Sequence, residues 1–327
     1  MKYTVVIPVY NSEETIGECL KSLIGQKGAT NGLDYSILVV DDGSTDSTPE
    51  IAKSFPVKVV TLDKNRGRIM ARLYGATNAE AQRLLFVDSR VTLPEDTLAK
   101  LDQFDGLPAV IGETNPYGTK YESLIHTVLY LIRRRYYGKD FFPITGDMLI
   151  NEQNFKRAPK GTAVLLIDRD LFVKLTPERT GKDVNDDTLL FHNLVYDQKI
   201  SLLRSARLFF RYSQRTDPGQ FSSWLFYRGV RFCDFYLRPG GYFHIHFLLL
   251  ALVFAALLSL IFMPWGLFLL SALAMAADAV IALYLSEERK DFKRVFFGLP
   301  PIVSIFGAGI AAFWAKKLLG ALMRGHS

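Results

Sequence analysis

The chain has 327 residues, 49% of them hydrophobic, and carries 39 Lys and Arg against 33 Asp and Glu, a formal net charge of +6. That length holds one large soluble domain plus a membrane part, and the basic balance suits anionic lipid or phosphorylated ligands. Two cysteines, Cys19 and Cys233, make neither a metal-ligand spacing nor a disulfide framework, which excludes a stapled secreted scaffold and fits a reducing compartment.

The opening run YTVVIPV lacks the basic region and small-residue cleavage site of a signal peptide, so the first half is expected to be a cytoplasmic head. Runs rich in Val, Ile and Leu at 3–9, 35–40, 57–61 and 83–87 are short enough for strands and apolar enough for burial on both faces, as in parallel sheets. Helical patterns lie between them. Asn11, with Glu14 three residues on, is expected to cap a helix that carries Ile16, Leu20, Leu23 and Ile24 on one face. A shorter helix is expected at 48–54 and a third at 67–80. This alternation predicts an α/β fold, a doubly wound and mostly parallel sheet with its ligand crevice beyond the carboxyl ends of the strands.

Polar residues collect at those ends: Tyr10-Asn11, Asp41-Asp42-Gly43-Ser44, Asp63-Lys64-Asn65-Arg66 and Asp88-Ser89-Arg90. Any one of these is an ordinary turn, but four in one crevice form a candidate site. Neither G-x-G-x-x-G nor G-x-x-x-x-G-K-[ST] occurs, so a nucleotide would be bound in some other way.

VVIPVYNSEETI, LVVDDGSTDST and DKNRGRIMARLYGATNAEA leading into LLFVDSR resemble, in order and spacing, glycosyltransferase family 2, inverting nucleotide-sugar enzymes with a GT-A fold. The resemblance implies a nucleotide pocket lined by Pro8, Tyr10, Asn11 and Glu13, with Asp42 accepting a hydrogen bond from the base and Arg68 and Asp88 completing the site. Asp41 more simply caps its turn. Lys64 and Arg66 are candidates, with Arg68, to approach the diphosphate, a solvated basic loop being the alternative. The family usually has Asp-x-Asp after the fourth strand, where the second acid is the main link to a divalent ion. Here the triplet is Asp88-Ser89-Arg90, so Asp88 is the one metal candidate and a guanidinium stands where the second carboxylate belongs. Either Arg90 neutralises the diphosphate itself and lowers any requirement for Mg²⁺ or Mn²⁺, or it turns to an acidic neighbour and Asp88 holds the ion through water.

Further on, Asp186-Asp187, with Asn185 as a cap, resembles the family's Glu-Asp dipeptide at a helix start. Asp187 is then the candidate catalytic base and Asp186 lies on the acceptor side; two acids that merely stabilise a helix start are the alternative. An acceptor that is already an ionised lipid phosphate would need the base less. Gly161 and Thr162 open a segment, 161–172, that resembles the acceptor-side strand.

Residues 243–262 contain no Asp, Glu, Lys or Arg. A helix of about 20 residues at roughly 1.5 Å each crosses the ~30 Å hydrocarbon core of a bilayer. With the apolar run 267–285 it reads as a hairpin, flanked by Arg228, Arg231 and Arg238 before and Arg289, Lys290, Lys293 and Arg294 after, which puts both ends on the cytoplasmic side. A third segment, 295–315, is interrupted by Pro300-Pro301 and followed by Lys316 and Lys317; it is either a full crossing or a re-entrant or broken helix. Asp278 in the second run is expected to be structural. Residues 216–242 interleave aromatics with arginines as interfacial helices do, and Trp224, Arg228 and Arg231 are acceptor-side candidates or plain anchors. Residues 121–137, ending in Arg133-Arg134-Arg135, have a similar character.

The expected division is 1–215, 216–242 and 243–327. The expected activity is inverting transfer of a sugar from a nucleotide-sugar donor to a lipid-linked acceptor, polyprenyl phosphate or glycolipid, with the protein integral to the membrane. Membrane lipids are further partners and no nucleic acid is expected. The alternative is a non-catalytic nucleotide-sugar-binding scaffold subunit of a membrane glycan assembly.

Overall fold

The computed structural model describes residues 1–114, 124–138, 142, 146–177, 185–215, 217–237, 243, 245, 248–249, 253, 257 and 264–324. They fall into two compact units, residues 1–118 with 139–214, and residues 119–138 with 215–327. The chain thus passes between the units more than once, and 119–138 pack with the later residues.

In the first unit the strands are β1 (Tyr3–Val9), β2 (Tyr35–Asp41), β3 (Lys58–Thr61), β4 (Arg83–Val87), β5 (Val91–Thr92), β6 (Ala109–Thr114), β7 (Asp147–Ile150), β8 (Val164–Asp168) and β9 (Leu202–Tyr212). Their order across one sheet is β3-β2-β1-β4-β8-β6-β9-β5, with β7 also paired to β9. The expected parallel sheet is the half β3-β2-β1-β4. Beyond β4 the pairing is mixed: β8 runs antiparallel to both β4 and β6, and β5 and β7 run antiparallel to β9.

Helices α1 (Ile16–Ile24), α2 (Thr48–Lys53) and α3 (Arg68–Thr77) cross between the parallel strands; α4 (Leu124–Tyr137) belongs to the second unit, and α5 (Arg169–Leu175) and α6 (Asp186–His192) follow in the first. The period of two in the strands sorts side chains to two faces. Val5, Ile7, Leu85 and Val87 pack with Ile16, Leu20 and Leu23 of α1. Val6, Leu38, Val40 and Phe86 pack with Ile69 and Ala71 of α3, Phe172 of α5 and Leu190 of α6. The sheet is therefore covered on both sides, and its polar strand ends are held between rigid layers.

One expected helix start is corrected. α1 begins at Ile16, behind Thr15, and Asn11 lies four residues upstream with φ 45°. Its side chain is drawn to the loop after β2, as described below, so it does not cap α1.

The second unit is helical: α4, α7 (Pro218–Phe232), which runs on into a wider turn at Cys233–Leu237, α8 (Gly266–Leu285) and α9 (Arg289–Arg324). Asp217 caps α7 by accepting from the Gln220 N–H at 2.6 Å, with Pro218 in the first turn. Val128 and Leu131, Phe221 and Leu225, Ala282 and Leu285, and Val295, Leu299 and Ile302 form its apolar core. α7 and α9 touch backbone to backbone: a Cβ on Gly229 would run into the Phe306 carbonyl oxygen, and one on Gly309 into that of Phe226. Pro300 and Pro301 lie inside α9, so the interruption expected there is absent and the helix is continuous. α8 and the stretch Arg289–Leu319 are long and apolar enough to cross a membrane, with mean hydropathy 2.1 and 1.9. The first expected span, 243–262, lies almost wholly outside the described residues, as does Arg238.

Candidate active site

The loops that leave β1 and β2 are laced together. The Asn11 N–H donates to Ser44 Oγ at 2.9 Å, and Asn11 Oδ1 accepts the Thr45 N–H at 2.9 Å. Two residues on, Glu13 accepts the Ser47 N–H at 3.0 Å while its own N–H donates to Asp46 at 3.2 Å. The Ser12 N–H reaches Thr48 Oγ1 at 2.7 Å, and Ser89 after β4 donates to Ser12 Oγ at 3.0 Å. Burial works to raise the Asp46 carboxyl, but hydrogen bonds from Thr48 and the Glu13 N–H hold it below its ordinary value. Tyr10 stands 42% exposed at the tip of β1, just past the half-buried Pro8 and the buried Val9. Pro8, Tyr10, Asn11 and Glu13 are thus brought together with the loop after β2.

Asp41 and Asp42 end β2, both buried. Asp41 Oδ1 accepts the Ser44 N–H at 3.0 Å, the turn-capping role expected of it. Its Oδ2 is buried with no hydrogen-bond partner. Asp42, expected to face a base, accepts the backbone N–H groups of Arg66 at 2.7 Å and Gly67 at 2.8 Å, one on each oxygen. It therefore fixes the basic loop and the start of α3. Gly43 makes that closeness feasible: with φ +74°, it leaves no room for a Cβ, which would sit 3.0 Å from the Lys64 carbonyl carbon. Lys64 is exposed, and Arg66 is exposed with Asp63 3.9 Å away, a loose pair in solvent.

At the end of β4, Asp88 Oδ1 accepts the Arg90 N–H at 3.0 Å, closing a turn on the triplet. Among the described residues there is no group of three or more His, Cys, Asp or Glu able to hold a metal ion. One carboxylate, with an oxygen already engaged and a guanidinium two residues on, does not fit a divalent ion held by the protein. We derive no step through one.

The charged centre lies between α3 and α6. Asp187 Oδ1 is 3.0 Å from an Arg72 guanidinium nitrogen and Oδ2 is 3.3 Å from one of Arg68. Arg72 is 3% exposed, and its other terminal nitrogen donates to the Thr162 carbonyl at 3.2 Å. Burial acts to raise the Asp187 carboxyl, but Arg68, Arg72 and the Thr162 hydroxyl outweigh it and bring it down to about 2. A carboxylate so stabilised is a weak proton acceptor at neutral pH. Thr162, Arg68 and Asp187 are thus gathered around Arg72, a residue that the sequence analysis does not single out. The available signal was spacing, since Arg68 and Arg72 lie four apart on one face of α3.

Gly161 is open to its surroundings, with nothing within 4 Å of a Cβ placed there. Beside it Lys160 donates to the Phe155 and Ala158 carbonyls, and burial, then Arg204, push its ammonium down to about 7. The Asp186 side chain lies outside the described residues. Trp224, Arg228 and Arg231 belong to α7 of the second unit, where the Arg215 and Arg228 guanidiniums lie 5.5 and 4.7 Å from the Trp224 ring centroid.

Residues 4–150 match the sequence profile described as Glycosyl transferase family 2. Dolichol-phosphate mannosyltransferase of Pyrococcus furiosus is 32% identical over 129 residues, 38% of this chain and 36% of its own length. Poly(ribitol-phosphate) beta-glucosyltransferase of Bacillus spizizenii is 39% identical over 110 residues, 32% of this chain and 17% of its own. The chain therefore spans little more than a third of these relatives at most. A mannosyltransferase from Pyrobaculum calidifontis, solved with GDP-Man and Mn²⁺, superposes with a TM-score of 0.56 over 97% of this chain and 88% of its own, at 17% identity, a likeness of fold.

Proposed function

From a chain that belongs, through residues 4–150, to glycosyl transferase family 2, we propose an enzyme that moves a sugar from a nucleotide-sugar donor to a lipid-linked acceptor at the cytoplasmic face of a membrane. The acceptor oxygen attacks the anomeric carbon as the bond from that carbon to the diphosphate breaks, and the electron pair leaves with the nucleoside diphosphate. Attack from the side opposite the leaving group inverts the centre. The laced loops after β1 and β2 support a nucleotide site, and Pro8, Tyr10, Asn11, Glu13, Asp41, Asp42 and Asp88 are its candidate lining. Lys64, Arg66, Arg68 and Arg90 are the cations for the diphosphate, whose charge grows as the bond breaks.

One observation carries the choice of acceptor: Asp187 is held near pKa 2 by two guanidiniums. A hydroxyl acceptor needs a base, and this carboxylate is a poor one. A phosphate monoester, with a second pKa of about 6, arrives ionised at neutral pH and needs none. Polyprenyl phosphate is therefore the favoured acceptor, in line with the dolichol phosphate in the name of the Pyrococcus relative. On this reading Asp187 serves as the counter-ion that sets Arg68 and Arg72. α8, apolar but for Ser271 and Asp278 and mostly exposed, supports anchorage in the bilayer.

The test is transfer from a panel of nucleotide sugars to polyprenyl phosphate, measured against pH for the wild type and Asp187→Asn. The expected acid limb lies near pH 6, set by the acceptor, and stays there in the variant. A hydroxyl acceptor used in preference, with turnover abolished in Asp187→Asn while donor binding persists, restores Asp187 as the base. Donor binding without transfer to any acceptor would leave the scaffold subunit as the function.

A further inference from the structure

α8 and α9 are alike in hydropathy and unlike in packing. α8 is buried only at Gly266, Ala282 and Leu285; between them Leu267, Phe268, Met275 and Val280 stand exposed around the helix. α9 is buried along one continuous face, at Asp291, Val295, Gly298, Leu299, Ile302 and Gly309, with the three-to-four spacing of a helix laid on a support. The support is α4 and α7. A Cβ on Gly298 would come 2.8 Å from Val128 Cγ2, and Gly309 meets α7 at Phe226 and Val230. Gly229 of α7 in turn meets α9 at Phe306 and Ile310, and Phe232 packs on Phe306, ring centroids 5.7 Å apart.

The face of α9 opposite this support, at Phe297, Pro301, Ser304, Ala308 and Ala311, is exposed and almost wholly apolar. Were α9 to cross a bilayer, Gly309, 15 residues past Arg294, would lie about 22 Å along the helix from that charged end. α7 would then carry the exposed Tyr227 and Arg228 to the same depth, where a guanidinium is strongly disfavoured.

We propose that α9 lies along the membrane surface: α4 and α7 cover its water side, and its Phe297 to Ala311 face rests in the acyl boundary of an anionic leaflet. Arg289, Lys290, Lys293 and Arg294 at one end and Lys316 and Lys317 at the other then meet headgroups of the same leaflet, whereas a crossing would divide them between two. Its high hydropathy follows from having apolar contacts on two sides, protein on one and lipid on the other. This inference is independent of the proposed reaction.

The test uses the full chain. Lys290→Cys and Lys317→Cys are placed singly and treated with a membrane-impermeant maleimide in right-side-out and inverted vesicles; the native Cys19 and Cys233 are buried. Both positions are expected to react in the same vesicle type. Reaction from opposite sides overturns the proposal. In liposomes containing phosphatidylglycerol, spin labels at Phe297, Ser304, Ala308 and Ala311 are expected to report one shared, shallow depth. A depth profile that peaks near Ser304 overturns the proposal even when both ends label from one side.

Discussion

The two halves of the candidate site hold their polar groups by different means. Where β1 and β2 end, side chains bond to backbone N–H groups: Asn11 to Thr45, Glu13 to Ser47, Asp41 to Ser44 and Asp42 to Arg66 and Gly67. Between α3 and α6 the partners are side chains of opposite charge, Asp187 with Arg68 and Arg72. Backbone bonds fix loops whatever the side-chain charges nearby. An ion cluster is balanced only while every member keeps its charge. The first half is therefore a frame fixed by backbone bonds, and the second half is a balance of charges.

The sharpest way to break the comparison is Arg72→Met. It removes a buried cation and leaves Asp187 partly compensated, with an expected cost of ~3 kcal/mol by urea unfolding; a cost below ~1 kcal/mol would make the cluster as dispensable as a surface pair. Asp42→Ala tests the frame. Losing two charge-assisted bonds to part-buried backbone N–H groups is expected to cost ~2 kcal/mol and to loosen the loop 63–67, seen as faster hydrogen exchange at Arg66 and Gly67.

Asp187→Asn separates the halves by pH. The folded carboxyl sits at about 2, below its ordinary 3.8, so the stability it contributes is complete above pH ~4 and lost as pH falls through ~2. That contribution is ~2 kcal/mol. The variant is expected to lack this portion of the acid dependence in thermal melts, while the portion due to Asp46 in the frame stays. Asn11→Ala gives a smaller change, ~1 kcal/mol, since it loses the bond to Thr45 and forces a Cβ-bearing residue without that bond to keep φ 45°. Smallest of all is the effect of a chelator on sugar transfer. Turnover is expected to stay unchanged, and full dependence on Mg²⁺ or Mn²⁺ would refute the reading of Asp88-Ser89-Arg90.

How far each half could be read from the sequence follows the same division. β1 and β4 were legible to the residue, because an apolar run between polar turns has one interpretation in a covered parallel sheet. The clustering of the strand-end loops followed from topology. The partner of each carboxylate did not, because Asp42 reaches Arg66 and Gly67, more than twenty residues on, and nothing local announces it. β6, β7 and β9 went unread, since mixed pairing with a register shift after Gly112 has no simple period. Arg72 was missed because a buried arginine contradicts the composition of a helix interior; its reason is Asp187, 115 residues away. In the second unit, hydropathy identified α9 as apolar and could not say what its apolar faces touch.

The contact of Gly229 with Phe306, and of Gly298 with Val128, has a consequence for the order of events at the ribosome. The ~80 residues separating Gly229 from Gly309 take roughly 4–16 s to make at ~5–20 residues per second, and the ~170 separating Val128 from Gly298 about twice as long. Throughout that interval the inward faces of α4 and α7 have been synthesised and the helix that covers them has not. On the proposed placement at a membrane, those faces meet lipid first, and the helix-to-helix joint later replaces part of that contact.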